Sequence, residues 1–160
     1  MSVAFTKEDS AATASETLLP ERPVSPEPNL VTAVGLALLE GELEAARRAV
    51  ERAAAIEDIN ERRRQTAVPL RDLRYFAERL RTAQLVPAPD SAEAVAFGLA
   101  VTFQRDDGRV QTYRIVGEDE ADPKAGSISY VSPLARALMG KAVGDAVSLG
   151  EQELEIIALG

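Results

Sequence analysis

From Leu36 onward the apolar residues fall at Leu36, Leu39, Leu43, Ala46, Val50 and Ala53, in alternating steps of three and four. This is a heptad seam, a narrow stripe that a lone helix cannot keep dry, so it demands a partner helix. Leu73, Phe76, Ala77, Leu80 and Ala83 supply a second seam at the same spacings. Glu40, Glu44, Arg47, Arg48, Glu51 and Arg52 are left on the wet face of the first. In an antiparallel hairpin, facing residues share one index sum. A single sum serves Leu39 with Leu80, Leu43 with Phe76, Ala46 with Leu73 and Val50 with Pro69, which puts the turn near residues 59–60. A slide of either helix by one turn moves that tip by about two residues. Thr32 is an N-cap candidate, and each arm would run about 25 residues, or roughly 37 Å. Pro69 cannot donate to Gln65 and clashes with the preceding turn, so the second arm either kinks there or starts there.

The stretch 106–144 organises the rest. Asp107-Gly108 is a tight turn between the alternating runs Phe97–Phe103 and Val110–Val116, which predicts an antiparallel pair. The acidic run Glu118-Asp119-Glu120-Ala121-Asp122 is expected to be a solvated loop leading to a third strand, Ser127–Val131. Ser132 can cap a helix whose first residue, Pro133, lacks the N–H that would be orphaned there. Leu134, Leu138 and Met139 then form its apolar stripe, and Gly140 ends it. Strands are predicted at about 95–104, 109–116, 127–131, 146–149 and 153–158, with one helix at 133–139.

The domain reading follows: a Pro-rich unstructured tail over 1–29, a helical hairpin over 30–86, a stiff linker over 87–92 and a β-rich domain over 93–160. The tail rests on Pro20, Pro23, Pro26 and Pro28 and the lack of any lasting periodicity. The linker rests on Pro87-Ala88-Pro89. The chain of 160 residues contains neither Cys nor His, which removes disulfides, thiolate or imidazole metal sites and Ser-His triads. Any metal would be held by carboxylates, a donor type that suits Mg²⁺ shared with ligands from elsewhere. No apolar run reaches the roughly 20 residues of a membrane span, so a cytoplasmic protein without a membrane partner is expected. The net charge of −8 is uneven: residues 32–84 carry ten basic and nine acidic side chains, residues 85–160 six and twelve. An acidic body with a locally basic projection fits a factor that docks on a protein and reaches toward nucleic acid, RNA or DNA. Solvated helices that merely alternate charge would give the same counts.

Three groups of residues carry a family resemblance: Tyr113-Arg114-Ile115-Val116-Gly117-x-Asp119-Glu120, then Ile128-Ser129-x-x-Ser132-Pro133-x-Ala135-Arg136-Ala137-Leu138, then Val143-Gly144-Asp145. Together they resemble the C-terminal domain of the bacterial GreA/GreB transcription elongation factors. Upstream, Leu30-Val31-Thr32-x-x-Gly35 with Leu39-x-x-Glu42-Leu43 is similar to the opening of that family's hairpin, and Ala83-Gln84-Leu85-Val86 to its close. The resemblance implies an α+β chain: an N-terminal antiparallel α-helical coiled-coil hairpin, then a C-terminal antiparallel β domain like that of FK506-binding proteins. It also implies a factor rather than an enzyme, monomeric, whose partners are RNA polymerase and the 3′ end of nascent RNA. Such a factor enters the secondary channel and, through acidic tip residues, helps to hold a Mg²⁺ shared with the polymerase active site and bound by neither partner's tip alone. The polymerase then cleaves backtracked RNA.

The family's tip motif is absent. Glu57, Asp58 and Glu61 stand at the predicted tip instead, in a first arm shorter than the family's. They are the candidate catalytic carboxylates, with Asp58 and Glu61 the candidate Mg²⁺ ligands at helical spacing; otherwise they are ordinary solvated charges at a turn. Arg62, Arg63, Arg64, Arg71 and Arg74 make a candidate nucleic-acid stripe, since a guanidinium binds phosphate bidentately and stacks on bases. The alternative is that they pair with Glu51, Glu57 and Asp58. By resemblance, Ser132, Pro133, Leu134 and Arg136 dock on the polymerase. The altered tip leaves two readings open, stimulation of transcript cleavage and channel binding without it. A prolyl isomerase on the same fold would need an aromatic-lined pocket, and only Phe97 and Phe103 among the phenylalanines lie in the domain.

Overall fold

The computed structural model describes residues 19–160, and they divide into two compact units. The first comprises 19–25 and Leu39–Thr82; the second comprises Pro26–Leu38 and Ala83–Gly160. Most of the expected tail, residues 1–18, lies outside the described residues.

In the first unit, helix α1 (Ala33–Ala54), whose opening turns belong to the second unit, and helix α2 (Ile59–Thr82) form the hairpin. Leu39, Leu43, Ala46 and Ala53 of the first seam and Phe76 of the second are buried, while Leu36, Val50, Leu73, Ala77 and Leu80 are half-buried; full burial of a leucine contributes about 2 kcal/mol. Pro69 lines one groove with Ala45, Ala46 and Ala49, and Gln65 and Pro69 line the next with Ala49, Ala53 and Ile56. The non-helical turn spans residues 55–58, earlier than expected, because Asp58, its last residue, caps the second helix. Its Oδ1 accepts from the Asn60 N–H at 3.1 Å, and its carbonyl accepts from the Arg62 N–H at 2.8 Å. The second arm does not start at Pro69: α2 runs through it, leaving the Gln65 carbonyl without its ladder donor. Arg79, only 1% exposed, is buried with no warning from the seam pattern.

The second unit opens with a feature that no periodicity announces. Strand β1 (Leu30–Val31) pairs in parallel with β2 (Gln84–Leu85), so the residues just outside the two arms form a short ladder. Its bonds run from the Gln84 N–H to the Asn29 carbonyl at 2.8 Å and from the Val86 N–H to the Val31 carbonyl at 2.9 Å. Thr32 then caps α1, its Oγ1 accepting from the Gly35 N–H at 3.0 Å.

The main sheet contains β3 (Ala100–Arg105), β4 (Val110–Val116), β5 (Ser127–Ser129), β6 (Ala146–Leu149) and β7 (Gln152–Leu159), in the order β5-β4-β3-β7-β6. Neighbours are antiparallel except β4 and β5, which run parallel. Helix α3 (Pro133–Leu138) is capped as expected, with Ser132 Oγ accepting from the Ala135 N–H at 3.3 Å. Ala135 and Leu138 of α3 share one core with Val101, Phe103, Ile115, Ile128, Val147, Leu154 and Ile156.

The strand expected from residue 95 begins only at Ala100. Val95, Phe97 and Leu99 are buried at every second position, as in a strand, but Gly98 between the last two is buried as well, with φ +89°, and the Leu99 N–H turns back to the Ala96 carbonyl at 3.2 Å. Strand-like spacing of apolar residues thus arises there without a ladder. The acidic loop is not wholly solvated either. Glu120 is half-buried and accepts from Thr32 Oγ1 at 2.6 Å, beside the start of α1, where a carboxylate complements the positive end of the helix dipole.

Gly117 lies against β1: a Cβ there would come within 2.3 Å of the Leu30 carbonyl oxygen, a rigid backbone atom. Gly117→Ala should therefore cost at least about 2 kcal/mol by urea denaturation, because overpacking against backbone cannot be relieved by a rotamer change. At Gly41, with open space around it inside α1, the same substitution should stabilise by up to about 1 kcal/mol.

Candidate functional site

The tip lies in the first unit. Glu57 and Asp58 are exposed in the turn and Glu61 is half-buried in the first turn of α2. Glu61 is already engaged, accepting from Arg64 Nη2 at 2.5 Å and from Gln65 Nε2 at 2.9 Å. The Arg64 hydrogen bond first, then that of Gln65, then the Arg64 charge hold the Glu61 carboxyl below the ordinary glutamate range. Asp58 is occupied as the cap of α2. Among the described residues, no three Asp or Glu side chains gather as a metal site would require. Held this way, Asp58 and Glu61 do not fit a magnesium ion, whose near-octahedral shell needs freely converging oxygens.

The arginines part company. Arg62 Nη1 donates to the Ile56 carbonyl at 3.1 Å, closing the turn from inside. Arg64 is paired with Glu61, Arg71 with Asp72 at 3.3 Å, and Arg74 with Glu21 at 2.6 Å. Arg63 is exposed and has no hydrogen bond or ion pair among the described residues. Pairing with Glu51, Glu57 and Asp58 was the alternative at sequence level; the carboxylates used are Glu61, Asp72 and Glu21. Three- and four-residue spacing could have flagged the first, whereas nothing local signals Glu21.

In the second unit, Ser132 is consumed as a cap and Leu134 packs, half-buried, on the core. Pro133 and Arg136 are exposed, and Arg136 Nη2 lies 3.3 Å from Glu27 Oε1. Tyr130 leaves the strand and donates its hydroxyl to the Pro28 carbonyl, with its ring edge-on to Phe97 at 5.8 Å. The surface of this element is thus a proline and an arginine on a helix start.

Residues 89–159 match the family model described as "Transcription elongation factor, GreA/GreB, C-term". The GreA of Sphingopyxis alaskensis is 37% identical over 124 residues, covering 71% of this chain and 77% of that protein. The GreA of Rhodospirillum rubrum is 36% identical over 141 residues, covering 74% and 86%. The chain belongs to the GreA/GreB family. Of some relatives it spans little more than half: the GreB of Neisseria meningitidis is 44% identical over 96 residues, which are 56% of this chain and 58% of that protein. The crystal structure of GreA factor homolog 1 (Gfh1) of Thermus thermophilus aligns over 84% of this chain and 99% of that one at 23% identity, with a TM-score of 0.40, too low to carry a comparison. Among the described residues, no helix of this family member is long and apolar enough to cross a membrane.

Glu61 gives a pH test. Because its carboxyl is depressed, its contribution to holding the tip is present above the ordinary glutamate value and disappears as pH falls through its lower, folded value. Carboxyl NMR titration should find Glu61 below the ordinary glutamate value, and Arg64→Ala should return it toward that value.

Proposed function

We propose that the chain acts on RNA polymerase as an elongation factor of the secondary channel, a partner protein rather than an enzyme, working as a cytoplasmic monomer. The family carries the partner. The hairpin carries the mode: arms of 22 and 24 residues make a rod of roughly 35 Å, long and narrow enough to enter a channel. The exposed Pro133 and Arg136, backed by Ser132 and Leu134, form the docking element, and Arg62, Arg63, Arg64, Arg71 and Arg74 face the 3′ end of the RNA. Arg63 is the guanidinium most ready to meet a phosphate, since none of its donors is engaged among the described residues.

The single observation that supports one mode of action over the other is the engagement of Glu61 and Asp58 within the tip itself. It supports modulation of elongation by occupying the channel, without stimulation of cleavage. Stimulated cleavage is the second reading, favoured by the exposure of Glu57 and Asp58.

A backtracked elongation complex, supplied with Mg²⁺ and the wild-type protein, separates the two. The expected result is bound protein with no acceleration of short 3′ RNA release and slower release when a cleavage-competent GreA is present as competitor. Accelerated release by the wild type, abolished by Asp58→Asn with binding intact, would establish the second reading instead.

A further inference from the structure

Residues just before the second unit do something the hairpin alone does not require. Arg22 lies over the Tyr75 ring at 3.9 Å and the Phe76 ring at 5.0 Å, while its Nη1 is 3.2 Å from Asp72 Oδ1. Glu21 takes Arg74 on two atoms, at 2.6 Å and 3.0 Å. Tyr75 and Phe76 meet edge to face at 5.1 Å, which turns the Tyr75 face toward the guanidinium. Two adjacent residues of the segment therefore engage a carboxylate, an arginine and an aromatic face within one turn of the same helix, Asp72, Arg74 and Tyr75. Pro20 and Pro23 flank them and reduce the entropy lost when the segment settles.

We propose that residues 19–25 form an autoinhibitory strap in which Arg22 is the anchor and Glu21 withholds Arg74 from an anionic polymer such as single-stranded RNA. Arg22 and Arg71 both reach Asp72 Oδ1, at 3.2 Å and 3.3 Å, so the closed strap shares that carboxylate with Arg71. The paired side chains are only partly buried, 36% and 28% exposed at Arg22 and Asp72 and 47% and 60% at Arg74 and Glu21. Exposed ion pairs are weak, which suits a strap that a polyanion can displace. Glu21 acts as an internal stand-in for a phosphate on Arg74. RNA affinity is then reduced by the fraction of molecules with the strap closed.

The proposal rests on the reading of Arg71 and Arg74 as nucleic-acid contacts, and one experiment on the full chain keeps the two apart. Binding of a short single-stranded oligoribonucleotide is measured at low salt for the wild type, R22A, Tyr75→Leu and R74A, alongside the rate of Glu-C cleavage at Glu21 and the helical circular dichroism. R22A removes a cation, so simple electrostatics lowers its affinity; an open strap raises it, by about threefold to tenfold. Tyr75→Leu changes no charge and should raise affinity likewise, with faster cleavage at Glu21 in both and helicity retained. Because the closed strap withholds Arg74, Arg74→Ala is also read in the R22A background, where the strap is open: affinity that falls or stays level in R22A or in Tyr75→Leu overturns the strap, provided R22A/R74A binds more weakly than R22A. If R22A/R74A binds as well as R22A, the nucleic-acid role of this stripe fails and the strap falls with it.

Discussion

The β-rich unit depends on one close approach, the Leu30 carbonyl against Gly117. Only a residue without a side chain admits it, and its consequence is that β1 can lie beside the end of β4. From there the ladder to β2, the Tyr130 bond to Pro28 and the grip of Glu120 on Thr32 all act on a stretch of a few residues. Each interaction is small. Together they tie the entrance of the first helix to the sheet by backbone bonds, a carboxylate and a steric fit, chemically unlike contacts that fail for different reasons.

Much of the fold was legible because its causes are local. Spacings of three and four between Leu36 and Ala53 reach only one turn ahead, and burial of Leu39, Leu43 and Ala46 follows from them. Ser132-Pro133 and Asp107-Gly108 carry their geometry in two residues. What the pattern could not reveal depends on distant partners: the parallel pairing of residues 30–31 with 84–85, the parallel β4–β5 pair and the burial of Arg79. Residues 95–99 show the opposite error. Apolar residues at every second position there look like a strand, but they belong to an irregular segment that Gly98 turns.

The candidate site was legible in kind and not in connection. Sequence identified the carboxylates and arginines near the turn, and they do stand there. It could not say which charges answer which, because a long side chain chooses among several partners within a turn of helix. Glu61 answers Arg64 and Arg74 answers Glu21, so fewer of these charges stand ready for a partner than the composition suggests, and Arg63 has no side-chain partner among the described residues. A charge count describes a surface only after internal pairs have been removed from it.

Pro69 adds a mechanical property. Where α2 passes through it, one rung of the hydrogen-bond ladder is missing, and the facing residues are Ala45, Ala46 and Ala49, side chains too short to brace the gap. Bending stiffness in a two-helix rod comes from unbroken ladders and interlocked side chains, and at this level a ladder bond is missing opposite short alanine side chains. The rod therefore has a compliant joint roughly midway along α2, and a sideways load on the tip would be taken up there before it reached the base of the hairpin.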